Sequence, residues 1–281
     1  MMMGCVSRSC WIVFMAVLAM ASSTSASSTW TCPSAEAIVR RTVSEAVATT
    51  PASPLGLSGC TSMTASLGMR GFEVIDAAKA AVEASCPSTV SCADIIAFAA
   101  RDSAYLAGGI DYPVPAGRRD GRVSLDSEAL AEIPLPNLTA AGLRDSFAKK
   151  GLSVDEMVTL SGAHSIGRAH CTAFARRLYN FNATHPQDPS MDPAFAAYLK
   201  SRCSPATVDF TSKDPTTLPL DAGLLFSDQT LQASRLTARL VRLDAKLGSV
   251  WAAKFAAAMV RMGHIEVLTG SQGEIRKMCG V

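Results

Sequence analysis

Among the residues of this 281-residue chain that could bind a metal or move a proton, one histidine stands apart from the rest. His164 lies in Leu160-Ser161-Gly162-Ala163-His164-Ser165-Ile166-Gly167, with a helix-like run, Val154 to Val158, just before it. Its small neighbours let a flat, bulky group approach the backbone. An imidazole there can ligate a metal through one ring nitrogen while the other donates to a fixed acceptor. The alternative is a satisfied core histidine at a helix end. The other three histidines, His170, His185 and His264, all follow it in sequence.

The cysteines come next, and the N-terminus gives them meaning. Residues 1–9 carry Arg8 and no acid, and Cys10 to Met20 form an apolar run of secretory length, too short to span a bilayer comfortably. Thr24-Ser25-Ala26 fits a cleavage site, so residues 1–26 read as a signal peptide and the mature chain as 27–281. An uncleaved anchor is the alternative. Secretion implies a disulfide-permitting compartment. Cys5 and Cys10 leave with the signal, and Cys32, Cys60, Cys86, Cys92, Cys171, Cys203 and Cys279 remain. An odd number means an unpaired thiol or an intermolecular bond, and spacing alone does not choose among pairings. No cysteine cluster has zinc-site spacing. The sequons Asn137-Leu138-Thr139 and Asn182-Ala183-Thr184 fit surface loops of a glycoprotein, although such short motifs also arise by chance.

These groups must be positioned by helices. Nearly half the residues are hydrophobic and only 18% are charged, enough for a large core. The net charge of +2 and the lack of an evident lysine/arginine stripe argue against nucleic acid as a partner. No later apolar segment reaches membrane length. Apolar spacing predicts helices over 33–48, 71–85, 91–107, 139–149, 154–160, 168–179, 193–202, 231–247 and 250–262. The strand signal is weak everywhere, so the fold class is mainly α. Residues 49–69 differ: rich in Ser, Thr, Gly and Pro, uncharged and aperiodic, they read as a loop. A loop of about 20 residues inside a compact domain is unusual.

Several blocks, in order, together resemble the secretory plant peroxidases, the class III haem peroxidases. They are Arg70-Gly71-Phe72-Glu73-Val74-Ile75-Asp76, Val90-Ser91-Cys92-Ala93-Asp94-Ile95, Gly117-Arg118-Arg119-Asp120, the His164 stretch, Gly223-Leu224-Leu225-Phe226-Ser227-Asp228-Gln229, Met262-Gly263 and Leu268-Thr269-Gly270. They cover most of 30–281. The resemblance implies a helical haem-peroxidase fold with disulfides, haem b as cofactor, and a secreted, monomeric enzyme. It would oxidise small phenolic donors with hydrogen peroxide. General family roles such as lignin formation, defence or peroxide removal are implied in the same way.

By this resemblance His164 matches the axial ligand of the haem iron, and Asp228 the carboxylate that accepts its ring N–H and strengthens the ligand. Read without the family, Asp228 is an N-cap before Gln229 to Leu231. Ser165 matches a hydroxyl that helps bind calcium, an ion that wants six to eight oxygens. The loop before Gly223 looks shortened, with Asp221, Asp209 or Asp214 as the first acid, so calcium is in doubt and loop solubility accounts for these acids equally. Pro134 resembles the proline of the aromatic-donor site, or is simply a turn former. The implied disulfides are Cys32–Cys86, Cys92–Cys279 and Cys171–Cys203, leaving Cys60 alone. Asp94 with Arg118 or Arg119 resembles a buried ion pair.

One departure is large. The family carries, between the positions of Ala48 and Arg70, a long helix with an arginine and, four residues on, a histidine. The histidine is the general acid–base for peroxide, and the arginine stabilises developing charge. No histidine precedes His164 here, and Arg40 and Arg41 lie on the first helix. The loop 49–69 replaces that distal helix and its calcium site, leaving the fold truncated in its distal part. The resemblance therefore implies a peroxidase with impaired activity. The alternatives are a non-catalytic secreted glycoprotein on a peroxidase scaffold, and a misassembled or alternatively spliced chain.

Overall fold

The computed structural model describes residues 31–49, 71–208, 217–219 and 223–280. Residues 1–26, read from sequence as a signal peptide, nearly all of the 49–69 loop with Cys60, and the acids Asp209, Asp214 and Asp221 lie outside the described residues.

The described chain is mostly helical, as expected. The helices are α1 (Ala35–Thr49), α2 (Phe72–Ser85), α3 (Cys92–Gly108), α4 (Asp126–Glu132), α5 (Ala140–Lys149), α6 (Val154–Ser161), α7 (Ala175–Tyr179), α8 (Pro193–Arg202), α9 (Phe226–Thr230), α10 (Arg235–Lys246) and α11 (Gly248–Met262). Two short strands, β1 (Arg168–His170) and β2 (Thr217–Pro219), pair antiparallel with Ala169 opposite Leu218. The helix expected over 168–179 is thus corrected. Arg168 to His170 is extended, a 3₁₀ turn covers Cys171–Ala173, and only Ala175–Tyr179 is α-helical. Gly167, at φ +99°, breaks the chain direction just before the strand, a conformation that favours glycine. The helix expected to start at Leu231 starts at Arg235, and a separate short helix, α9, precedes it where none was expected.

The first core joins α1, α2 and α3. Ile38, Val39 and Val43 meet Val74, Ile75, Ala78 and Val82, and both sets meet Ile95, Phe98 and Ala99. Spacings of three and four place these residues on one stripe of each helix. Lys79 is buried in this core, and its ammonium donates to Val90 O at 2.7 Å and to Glu83 at 2.6 Å, which is how a cation is tolerated there. Two disulfides close this unit, Cys32–Cys86 and Cys92–Cys279. The third, Cys171–Cys203, sits in a second core with Phe174, Leu178 and Leu199. A third core joins α5, α6 and the segment around Leu231.

The Gly117–Asp120 block is laced to the start of α3 in both directions. Asp94 accepts from Gly117 N at 2.7 Å and Arg118 N at 3.2 Å, and pairs with the Arg118 guanidinium at 3.1 Å. Asp120 in turn accepts from Cys92 N and Ala93 N, two otherwise orphaned donors of the helix N-terminus. Of the two arginines offered by the sequence, Arg118 is Asp94's partner.

A basic row also exists that the sequence reading missed. On α10 the residues Arg235, Arg239, Arg242 and Lys246 are all exposed. They recur at helical rather than consecutive spacing, so no run of basic letters announces them.

Candidate functional site

The residue at the centre is held by the helix before it. Ser153 caps α6 by accepting from Glu156 N, and the Glu156 carboxylate reaches back to Ser153 N, a full capping box. Burial works against the Glu156 charge, but the Ser153 N–H and hydroxyl and the Arg261 guanidinium outweigh it and leave the carboxyl below its ordinary pKa. α6 then tightens into a 3₁₀ turn, Gly162–Ser165, that carries His164. Gly162 is required there. A Cβ on it would lie 2.6 Å from the Trp251 indole nitrogen, which donates to Thr159 O at 3.0 Å. The histidine turn is thereby seated on α11.

His164 and Asp228 meet across 64 positions of sequence, with Nδ1 2.8 Å from Asp228 Oδ1. A carboxylate can only accept, so Nδ1 carries the proton and donates it. In the neutral ring Nε2 is then left with a free lone pair, the form that binds metal. No described residue hydrogen-bonds to Nε2. The N-cap reading of Asp228 is not what the structure has. Asp228 is inside α9, whose N-cap is Leu225, and its carboxylate is turned to the histidine. Its other oxygen, Oδ2, is buried and has no hydrogen-bond partner among the described residues.

α9 is itself anchored from three sides. Ser227 N donates to Pro136 O, and Ala140 N donates to Thr230 Oγ1. Before the helix, the carbonyls of Gly223 and Leu224 accept from Arg177 at 2.6 and 2.8 Å. Arg177 is buried and pairs with the buried Asp188 at 2.8 Å. Burial raises the Asp188 carboxyl, yet donors from Ser190 and Arg177 prevail and hold it below the ordinary range. None of this support was foreseen. Arg177 and Asp188 gave no signal, because a paired buried charge looks in sequence like any surface charge.

His164 and Pro134 both line one cavity of about 490 Å³. The α3 wall presents Ala93, Ile96, Ala97 and Ala100. Tyr112 and Val114 continue it, Leu143 and Phe147 close a side, and Met259 and Met262 come from α11. The small side chains expected around the histidine thus have counterparts on the α3 wall. Arg118 also reaches the cavity, but its guanidinium donates to Asp94, to Pro115 O and, at 2.9 Å, to Gly263 O. Tyr112 is buried, and burial pushes its phenol up to about 12, so it is neutral at any physiological pH.

Ser165 is exposed at the end of the histidine turn, and its hydroxyl donates to Gly162 O at 2.7 Å. Its companion in the expected calcium set, Asp221, is outside the described residues. Among the described residues no group of three or more His, Cys, Asp and Glu side chains could hold a metal ion. Asn137 and Asn182 are both exposed, and no helix among the described residues is long and apolar enough to cross a membrane.

Comparison with known proteins agrees with the resemblance. A sequence model of the peroxidase family matches residues 50–256. The chain is 51% identical over 227 residues to Peroxidase 5 of Vitis vinifera, covering 76% of this chain and 69% of that one. It is 43% identical over 295 residues to Peroxidase 1 of Zea mays, covering 89% of this chain and 80% of the relative. To Peroxidase 3 of Arabidopsis thaliana it is 40% identical over 290 residues, covering 89% of each. The chain belongs to the peroxidase family, as a plant-type peroxidase, and by family it is an oxidoreductase. The last two alignments are longer than the chain's 281 residues, so these relatives carry internal positions with no counterpart here.

Proposed function

We propose that this chain is a secreted haem peroxidase by descent, with its haem-holding side kept and its peroxide-cleaving side lost. The carrying observation is the His164–Asp228 pair on the wall of an apolar cavity. The cavity suits a flat apolar group, and a neutral imidazole with bare Nε2 suits its metal. His164 would hold haem b, with Asp228 fixing the tautomer and orientation. When bound, the haem supplies the oxidising chemistry by which hydrogen peroxide removes electrons from phenolic donors. Pro134, on the same cavity, would border the donor. Ser165 and Asp221 are the candidates for a calcium ion, and the first of these still has acceptor capacity on its hydroxyl.

The described residues on the cavity offer no general base for peroxide. His164 is committed to Asp228, Arg118 donates to three other acceptors, and the Tyr112 phenol keeps its proton. Acid–base help is worth about 10²–10⁴-fold in rate, and a charge stabiliser about 10²–10³-fold. Reconstitution with haem tests the proposal. A ferric-haem absorption band should appear and be abolished in His164→Ala, and its absence in the parent chain would sink the reading.

A second reading is favoured by the same missing groups: a non-catalytic secreted glycoprotein on the peroxidase scaffold. It requires no peroxide-dependent oxidation of a phenol even when haem is bound, and turnover that depends on His164 would exclude it. The long alignments support a third origin, a transcript lacking internal segments. Sequencing the transcript distinguishes it.

A further inference from the structure

We propose that Lys150 is a positioning residue for the donor edge of the cavity, clasping the segment that carries Pro134 to the ends of α5 and α11. The inference rests on the reading of Pro134 as the border of the donor. Three charged groups meet at this edge from three separate segments. The Lys150 ammonium, at the C-cap of α5, pairs with Glu132 at the end of α4. It also donates to both carboxylate oxygens of Glu266, beyond α11, at 2.9 Å. Each of the three stands within three residues of the cavity wall on its own segment. Glu132 precedes Ile133 and Pro134, Lys150 follows Phe147, and Glu266 follows Gly263. One ammonium thus joins three stretches of wall that are distant in sequence.

The lysine is the sheltered member of the cluster. Its side chain is 20% exposed, against 58% and 71% for Glu132 and Glu266. Hydrogen bonds to Glu132 first, then to Glu266, hold Lys150 above its ordinary pKa, and Lys150 holds Glu132 below its own. Glu266 sits at φ +51°, in the left-handed region uncommon for a residue with a side chain. Strain of that kind persists only where the surroundings fix it. The two limbs of the clasp differ. The α11 end is fastened a second time, by Arg261, which donates to Gly151 O at 2.5 Å and pairs with Glu156 at 3.3 Å. Among the described side chains of α4, the Glu132 carboxylate makes the one ion pair. Past α4, the bond from Ser227 N to Pro136 O is the next anchor. Exposed ion pairs add little to global stability. Here the effect falls on where a lightly anchored segment, 131–136, places Pro134.

Hydrogen exchange of the whole protein tests the clasp without haem or activity. Lys150→Met should speed exchange across 131–138 and 263–267 at least about threefold, leaving α1 to α3 unaffected and the thermal midpoint within about 3 °C. Glu132→Gln should speed the first segment alone, and Glu266→Gln mainly the second. Salt at about 0.5 M should reproduce part of the effect in the parent and none of it in Lys150→Met. Lys150→Arg should keep the parent's pattern. Arg144→Gln, which removes an exposed pair with Asp145 on the same helix, is the control and should change nothing. With haem bound, the Kd of guaiacol, read from the shift it causes in the haem absorption band, should rise about two- to fivefold in Lys150→Met and Glu132→Gln. Haem uptake itself should stay the same in both. Unchanged exchange over 131–138 in Lys150→Met, or equal acceleration in Arg144→Gln, would overturn the clasp. Parent-like guaiacol affinity in both variants would overturn its role at the donor edge. If the parent takes up no haem, the donor role falls with the haem reading, while exchange still decides whether Lys150 holds this edge.

Discussion

Two walls of the same cavity differ in what they can do. The wall built from α6, its 3₁₀ turn and α9 carries a hydrogen-bonded imidazole. Behind it stand a capping box, a glycine seated on Trp251, and a buried Arg177–Asp188 pair. The wall built from α3 and residues 112–118 carries alanines, Ile96, Val114 and an arginine with four of its five N–H donors engaged. On the proposed reading, holding a metal falls to the first wall, and the second offers no described group for cleaving a peroxide. A chain can keep every support of the first while lacking the groups for the second.

The largest effect to test is the gap between the walls. Measured with haem bound and a phenolic donor, peroxide turnover should lie at least about 10³-fold below that of the maize relative. Turnover within about tenfold of that relative would show that some group of this chain does act on peroxide, and the contrast would collapse.

The supporting wall can be broken from far away. Arg177→Ala leaves Asp188 as an uncompensated buried charge and frees the Gly223 and Leu224 carbonyls. We expect a loss of about 3–5 kcal/mol of stability by denaturant unfolding. Arg118→Ala removes a guanidinium from the buried Asp94 but leaves it the Gly117 and Arg118 N–H donors, so a smaller loss, about 1–3 kcal/mol, is expected. If the Arg177 variant unfolds like the parent, the account of how α9 is held is wrong. Asp228→Asn is gentler and more specific. It keeps the shape and removes the acceptor charge, so haem affinity should drop about 10–100-fold with little change in folding.

How much of this could be read from sequence follows the range of the interactions. Periodicity found α1, α2, α3, α5, α8 and α11 because each buries one stripe. It merged the strand, 3₁₀ turn and helix between Arg168 and Tyr179, where Gly167 and pairing with β2 decide the backbone. It also missed the cation row of α10, which only a helical projection reveals. His164 was visible from its small neighbours. Asp228 was found through the family blocks, since nothing local distinguishes it from a helix cap. Trp251, Arg177 and Asp188 contact the site's supports only through tertiary structure, and a single sequence gives no hint of that.

Gly162→Ala asks whether the histidine turn is seated or merely adjacent. The new methyl would meet the Trp251 ring at 2.6 Å, so either the indole moves or the turn does. Overpacking of this kind costs about 1–3 kcal/mol. Moving the indole also breaks its bond to Thr159 O. The variant should therefore lose both stability and haem affinity, whereas Gly248→Ala, at the N-terminal end of α11 with open space around it, should lose neither.

The smallest effect concerns acid. Asp188 has a native pKa below its ordinary value of 3.8, so it binds fewer protons folded than unfolded as pH falls through that range. Its contribution to stability is present above the unfolded pKa and lost as pH falls through the folded one. Denaturant midpoints measured from about pH 5 downward should fall more steeply in the parent than in Asp188→Asn, which carries no titrating group there. The variant is less stable at neutral pH, because Arg177 loses its counter-charge, and the two curves should converge toward acid. Parallel curves would mean that Asp188 is not the proton-linked support of α9. α9 would then rest on its hydrogen bonds to Pro136 and Thr230 and on the Arg177 contacts with Gly223 and Leu224, without help from the Asp188 charge.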